Sequence, residues 1–356
     1  MKNKKILAII GIIIIILSVG FIVFTLMDSN ESKNTNDNEK KDENVYNEID
    51  KPLDEETEKK EITIIDINSD TRPIAVMINN LNVARNYHSG LQDAYLVYEI
   101  IVEGGITRLL ALFKDKDTAR IGSVRSSRHY YLDYALENDA IYVHFGWSPQ
   151  AQSDIPKLGV NNINGLYDNA FWRDTSLNVA YEHTAFTSME KIKKVANNKG
   201  YNMTSNKKTL LNYSSKEVDL TKYEESVVAN SVDIKYSNYL TTSYVYNPKD
   251  KLYYRSVNDK SHTDYLTKKQ YTAKNIIIAY VNNGDIGNDS KGRQELENIG
   301  TGTGFYITNG SCVPITWEKK SRSTQTVYKY KNGNEIDVSD GNTYIQIAPK
   351  NSAKIK

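Results

Sequence analysis

The sequence predicts an α+β fold: a layered, mixed α/β N-terminal domain over residues 62–205 and a β-rich C-terminal domain over residues 206–356, both placed after a transmembrane helix and a disordered tether. Three observations carry this. Short runs rich in Val, Ile, Tyr and Thr, bounded by Gly, Asn and Asp turn signals, recur through residues 62–356. Helical spacing of apolar residues is confined to three stretches, 127–138, 148–158 and 188–198. Beyond about residue 205 the texture changes to short strands and tight hairpin turns, although the two domains are free to share one core.

Residues 6–27 form a 22-residue apolar run without a charge, preceded by Lys2, Lys4 and Lys5. At about 1.5 Å rise per residue this length spans a bilayer core. It exceeds a usual signal-peptide core, and no small-residue cleavage site follows it, so an uncleaved anchor is expected. With no cysteine near its end, a lipid-anchored N-terminus is not expected. The lysine bias places residues 1–5 in the cytoplasm and the chain after Met27 outside the cell membrane, as a single-pass protein. Residues 28–61 carry 13 acids and 6 lysines and almost no apolar side chains, which predicts a solvated tether.

Ordered structure is expected from about residue 62. Residues 72–78 read as a buried strand closed by Asn79 and Asn80. Residues 95–102 and 106–113 flank Gly104-Gly105 as a hairpin, and 140–145 returns to a strand. Ser148-Pro149 matches an N-cap followed by proline at the first helical position, and Ser188 opens the last helix. Strands are then expected at 242–246, 252–257, 275–281, 305–308 and 343–348, with Asn309-Gly310 and Asn332-Gly333 as hairpin turns.

The formal charge of +1 conceals segments of opposite sign: +3 over residues 1–27, −7 over 28–61 and, by difference, +5 over 62–356. That excess is far from the dense basic stripe of a nucleic-acid binder, so no nucleic acid is expected as a partner. Cys312 is the single cysteine, which excludes an intramolecular disulfide and a cysteine-based zinc cluster. It reads as a small strand residue rather than a reactive thiol.

Polar chemistry concentrates between residues 95 and 148, inside strongly apolar elements. Glu99 and Glu103 on one strand stand about 13 Å apart at 3.3 Å per residue, too far for a paired-carboxylate glycosidase unless a bulge intervenes. A two-residue turn at Gly104-Gly105 sets Val102 opposite Thr107 and Ile101 opposite Arg108, with Arg108 diagonally between the glutamates. A partly buried salt-bridge cluster is the expected outcome. Arg125 and Arg128 fall at a helix start, where cations are disfavoured unless an anion answers them. That anion is either internal, Glu99 or Glu103, or a bound phosphate or carboxylate. His144 points away from the apolar face of its strand and reads as a hydrogen-bonded structural residue rather than a base, and Ser148 as an N-cap rather than a nucleophile. Arg173, Asp174 and His183 form a second polar group in a loop rich in Trp and Phe.

Several motifs fail on context. Ser188-Met-Glu-Lys191 and Ser205-Asn-Lys-Lys208 match a serine-lysine motif without its companion Lys-Thr-Gly, and Gly300-Thr-Gly302-Thr-Gly304 opens a strand rather than a helix. His262-Thr-Asp264 supplies two metal-ligand types in one turn, which is too few for a site. Neither a metal nor a cofactor is expected.

The strings Arg72-Pro73-Ile74-Ala75-Val76-Met77-Ile78, Glu103-Gly104-Gly105-Ile106-Thr107-Arg108, Ile121-Gly122-Ser123-Val124-Arg125-Ser126, His144-Phe145-Gly146-Trp147-Ser148-Pro149 and Phe171-Trp172-Arg173-Asp174 resemble the YerB-like family of bacterial envelope proteins. The C-terminal half is similar through Asn275-Ile276-Ile277 and Ile315-Thr316-Trp317. The resemblance implies an extracytoplasmic, membrane-tethered protein of layered α/β architecture, and supplies no activity. Two departures stand out: a plain apolar anchor where many members carry a lipoprotein cysteine, and Glu182-His183-Thr184 where the family tends to show Pro-His-Asn.

Two functions fit these residues. One is a binding or scaffold module that recognises a cell-wall component or an envelope protein without turnover. The other is an envelope enzyme on an anionic glycan, lipid-phosphate or peptide substrate, with Arg125, Arg128 and Arg173 clamping the anion and His144, Glu103 or Asp174 moving protons.

Overall fold

β-branched and aromatic runs become strands because their side chains pack well on a pleated surface, and here most of them join one sheet. The computed structural model describes residues 61–356. The expected anchor, the cytoplasmic tail and all but the last residue of the expected tether lie outside them. The described chain is a mixed α/β structure with few helices and many strands.

The main sheet runs Val227–Val228, Ser311–Lys319, Gly300–Thr308, Asn275–Val281, Thr343–Pro349, Leu96–Ile101, Thr107–Phe113, Ile74–Asn79, Ile141–His144 and Asn162–Asn164, with Val327–Tyr330 added beside Ser311–Lys319. It crosses the texture change near residue 205 without a break, because Leu96–Ile101 pairs in parallel with Thr343–Pro349 from the far end of the chain. The described residues accordingly belong to one compact unit.

Its two faces are covered differently. Tyr98 reaches Glu137 on the helix Tyr131–Glu137, and Tyr131 bonds the carbonyls of Ile100 and Arg108, so this helix covers one face. A six-stranded sheet containing Ser231–Lys235, Thr241–Asn247 and Leu252–Val257 covers the other, through Tyr236 and Thr242 on Glu99 and Tyr244 on Gln346. The result is three layers with the core on both sides of the main sheet.

Local signals behave as their chemistry predicts. Ser148 caps Pro149–Lys157 and Ser188 caps Met189–Asn198, each accepting a first-turn amide at 3.3 Å. The helix expected from residue 127 begins only at Tyr131, because the backbone of Ser127 is already committed to Gly146 and Ser148. The hairpin register also differs. Glu103–Gly105 is a three-residue loop with Gly104 and Gly105 at φ +73° and +67°, so Ile101 faces Thr107 and Ile100 faces Arg108. A one-residue slip turns every side chain to the other face, and it carries Arg108 away from Glu99.

Candidate functional site at the carboxyl edge of the main sheet

Ile74–Asn79, Leu96–Ile101, Ile141–His144, Asn162–Asn164, Asn275–Val281 and Thr343–Pro349 all run in one direction, so their carboxyl ends share an edge. Open sheets bind ligands at such edges, above all where neighbouring parallel strands part. Here Ile74–Asn79 and Ile141–His144 pair only as far as Val76 and Val143. The segment 124–127 enters the gap: the Arg125 amide bonds the Met77 carbonyl at 3.0 Å, and the Arg125 carbonyl accepts from Phe145 at 3.0 Å. That insertion brings Arg125 and Arg128 to the edge.

Glu103, in the loop after Leu96–Ile101, takes the Arg128 Nε at 2.8 Å and Arg108 at 3.1 Å. Burial pushes its carboxyl up, but the hydrogen bond from Arg128 and the charges of both arginines outweigh this and hold it at about 2. Burial, with Arg128 beside it, lowers the Arg108 guanidinium to about 10. The counter-charge of Arg128 is therefore internal. Arg125 instead meets Glu182 at 2.9 Å, a partner that sequence spacing did not suggest, and its side chain is 26% exposed against 59% for Glu182. Next to it Arg173 donates to the Tyr181 carbonyl at 2.7 Å and lies 4.3 Å from the ring centres of both Phe145 and Tyr181.

The expected proton-transfer residues are held elsewhere or closed off. His144 is fully buried, stacked on Tyr142, with one nitrogen on the Gly146 carbonyl at 2.8 Å and the other on Asn162 at 3.2 Å. Burial lowers it to about 4. His183 bonds Asn79 at 2.8 Å, and burial together with Arg125 lowers it below its ordinary value. Asp174 turns away from Arg173 to pair with Arg120 at 2.8 Å. Ser148 remains an N-cap, at the wall of a cleft of about 270 Å³ that also touches Arg128, His129, Gln150, Asp289 and Arg293.

Glu99 does not join this edge. It lies on the opposite face of the sheet, fully buried, bonded to Arg255 at 2.8 Å, to Thr107 at 2.8 Å and to Thr242 at 2.9 Å. His262 takes the other side of Arg255 and meets His88 at 2.8 Å, while Asp264 accepts the backbone amides of Gly90, Leu266 and Thr267. A second sealed pair joins Lys319 to Glu137 at 2.7 Å. Sequence reasoning missed both cations, though each left a signal. Arg255 follows Tyr253 and precedes Val257 on one phase of its strand, and Lys319 follows Ile315 and Trp317 in the same way. A charge in the apolar phase of an alternating strand announces a buried partner.

Comparison with known proteins agrees with this architecture. Residues 62–202 match the family described as "Protein of unknown function (DUF3048) N-terminal domain", and residues 232–345 match its C-terminal domain. The chain belongs to the YerB-like family. Over 287 residues it is 33% identical to "Putative lipoprotein YerB" of Bacillus subtilis (strain 168), covering 79% of this chain and 82% of that protein. The crystal structure of the YerB protein from Bacillus subtilis is similar with a TM-score of 0.70 at 31% identity, covering 80% of this chain and 94% of the other.

Proposed function

We propose that this YerB-like chain is an envelope-associated binding or scaffold module whose carboxyl-edge cluster recognises a cell-wall component or an envelope protein without turning it over. The relative named as a lipoprotein supports the envelope location, as does the anchor expected at residues 6–27, which would place the folded part outside the membrane. One observation carries the binding reading over the enzymatic one. Groups suited to proton transfer are committed internally, Glu103 to two arginines and both nitrogens of His144 to oxygens, whereas Arg125 and Arg173 lie half-exposed, Arg173 over the rings of Phe145 and Tyr181. Catalysis needs a group free to gain or lose a proton near the working pH, and binding does not.

The test mixes the full chain with purified cell-wall material and follows both retention and chemical change by mass spectrometry. Retention with no new product is the expected result, and Arg125→Ala is expected to reduce it without altering the melting temperature. Release of a modified fragment would install the enzyme reading in its place.

A further inference from the structure

The edge cluster contains four arginines, Arg108, Arg125, Arg128 and Arg173, and two carboxylates, Glu103 and Glu182. Arg108 and Arg128 share Glu103. Arg125 has Glu182, and Arg173 meets no carboxylate among the described residues. Burial lowers the Arg173 guanidinium below its ordinary value, with Tyr181 opposing and the charge of Arg125 adding to the effect. Positive charge in excess of its internal partners, in a partly desolvated place, is complementary to an anion from outside. Glu182, the most exposed carboxylate of the group, is the partner such an anion can displace.

The cluster and the aromatic segments bordering it form a ledge, with Arg173 over Phe145 and Trp147, two residues on, against His144. Phe145 and Phe171 lie 5.5 Å apart, and Trp147 and Tyr167 lie 5.8 Å apart. Phe145, Trp147 and Phe171 are half-buried, whereas Tyr167 is 74% and Tyr181 65% exposed. Gly165 makes the packing possible, since a Cβ there would stand 2.1 Å from the Phe145 ring. Backbone bonds join the Phe145 amide to the Arg125 carbonyl and pair Ser127 with Trp147, with Gly146 at φ +80° between the two ring-bearing residues, so the cationic and aromatic segments run side by side.

We propose that this ledge binds an acidic glycan, with sugar ring faces against Trp147 and Tyr167 and a carboxylate or phosphate substituent replacing Glu182 on Arg125 beside Arg173. The inference rests on the binding reading above and specifies its ligand class. Rings set side by side next to fixed donors suit a stiff ligand that is apolar on its faces and polar at its rim. Arginine clusters and aromatic grooves also recognise acidic peptides, so hexaglutamate is the arm that separates the two ligand classes.

The experiment titrates the full chain with a glucuronate oligosaccharide, a phosphorylated oligosaccharide, a neutral oligosaccharide of equal length, inorganic phosphate and hexaglutamate, followed by calorimetry. The acidic saccharides are expected to bind at least about tenfold more tightly than the neutral one or phosphate alone, and the two acidic arms identify the preferred charge. Arg125→Ala is expected to weaken binding about tenfold and Tyr167→Ala about threefold or more. Glu182→Gln should strengthen it, because the internal competitor is gone. Equal binding of neutral and acidic saccharides, hexaglutamate binding as tightly as either, or weaker binding by Glu182→Gln overturns the proposal. Retention on wall material without affinity for acidic saccharides sinks this inference and leaves the binding module standing, whereas absence of both sinks this inference together with the wall-component reading.

Discussion

Glu99 and Glu103 stand four positions apart in the chain and both pair with arginine, yet they end in opposite environments. Glu99 and Arg255 are sealed between two sheets with no exposure, and they join the first half of the chain to the second. Glu103 lies 25% exposed at the sheet edge with Arg108 and Arg128, next to an arginine held by a surface carboxylate. Residue type is the same in both. What separates the two regions is exposure and the balance of charge, since Arg173 beside the second meets no carboxylate among the described residues.

Among single substitutions the sealed pair gives the largest expected effect. Arg255→Ala leaves Glu99 charged and unpaired in the core and should cost about 3–5 kcal/mol in denaturant unfolding. Replacing both residues with methionine should recover most of that loss; if it does not, the pair contributes more than mutual compensation.

Acid should act next. Burial lowers His88 to about 3 and His144 to about 4, and it holds His262 well below its ordinary value. The folded protein keeps these groups neutral while the unfolded chain takes up protons from about pH 6.5. Their contribution is therefore complete above that pH and is lost as pH falls towards 4, at up to about 1.4 kcal/mol per pH unit for each histidine. Below about 4.5 Glu103, held at about 2, adds to the loss in the same direction. A melting temperature flat between pH 7 and 4 would contradict these buried, neutral histidines.

At the edge, effects on stability should shrink while effects on binding grow. Arg128→Ala leaves Glu103 with Arg108 and should cost about 1–2 kcal/mol in the same unfolding measurement. Arg125→Ala breaks an exposed pair and should change stability by less than about 0.5 kcal/mol, yet it should reduce retention on wall material. If Arg125→Ala instead melts like Arg255→Ala, the two regions do not differ in kind and the edge is structural.

Strand identity was legible because Val, Ile and Tyr runs declare themselves, and residues 252–257 and 275–281 were placed to the residue. Helix starts at Ser148 and Ser188 were legible from their caps. Pairing was not. Nothing local tells Leu96–Ile101 that its neighbour is Thr343–Pro349, since parallel partners are chosen by long-range packing. The hairpin at Gly104-Gly105 could be read as a two- or three-residue loop, and that single choice decided which face Arg108 takes. Glu103 was one of three answers to Arg128 that the sequence left open, beside Glu99 and a bound anion, whereas the link of Arg125 to Glu182 depends on a loop returning from 57 residues away.

The pairing of Leu96–Ile101 with Thr343–Pro349 also sets an order of events. The central strand of the sheet is supplied by residues 343–349, far along the chain from its neighbour, so during synthesis Leu96–Ile101 must wait with an open, apolar flank until those residues have been delivered. A fragment stopped near residue 205 would keep that flank permanently bare and should associate with other copies rather than fold alone. The two matched family segments should thus mature together, with the carboxyl edge of the sheet complete only once Thr343–Pro349 has docked.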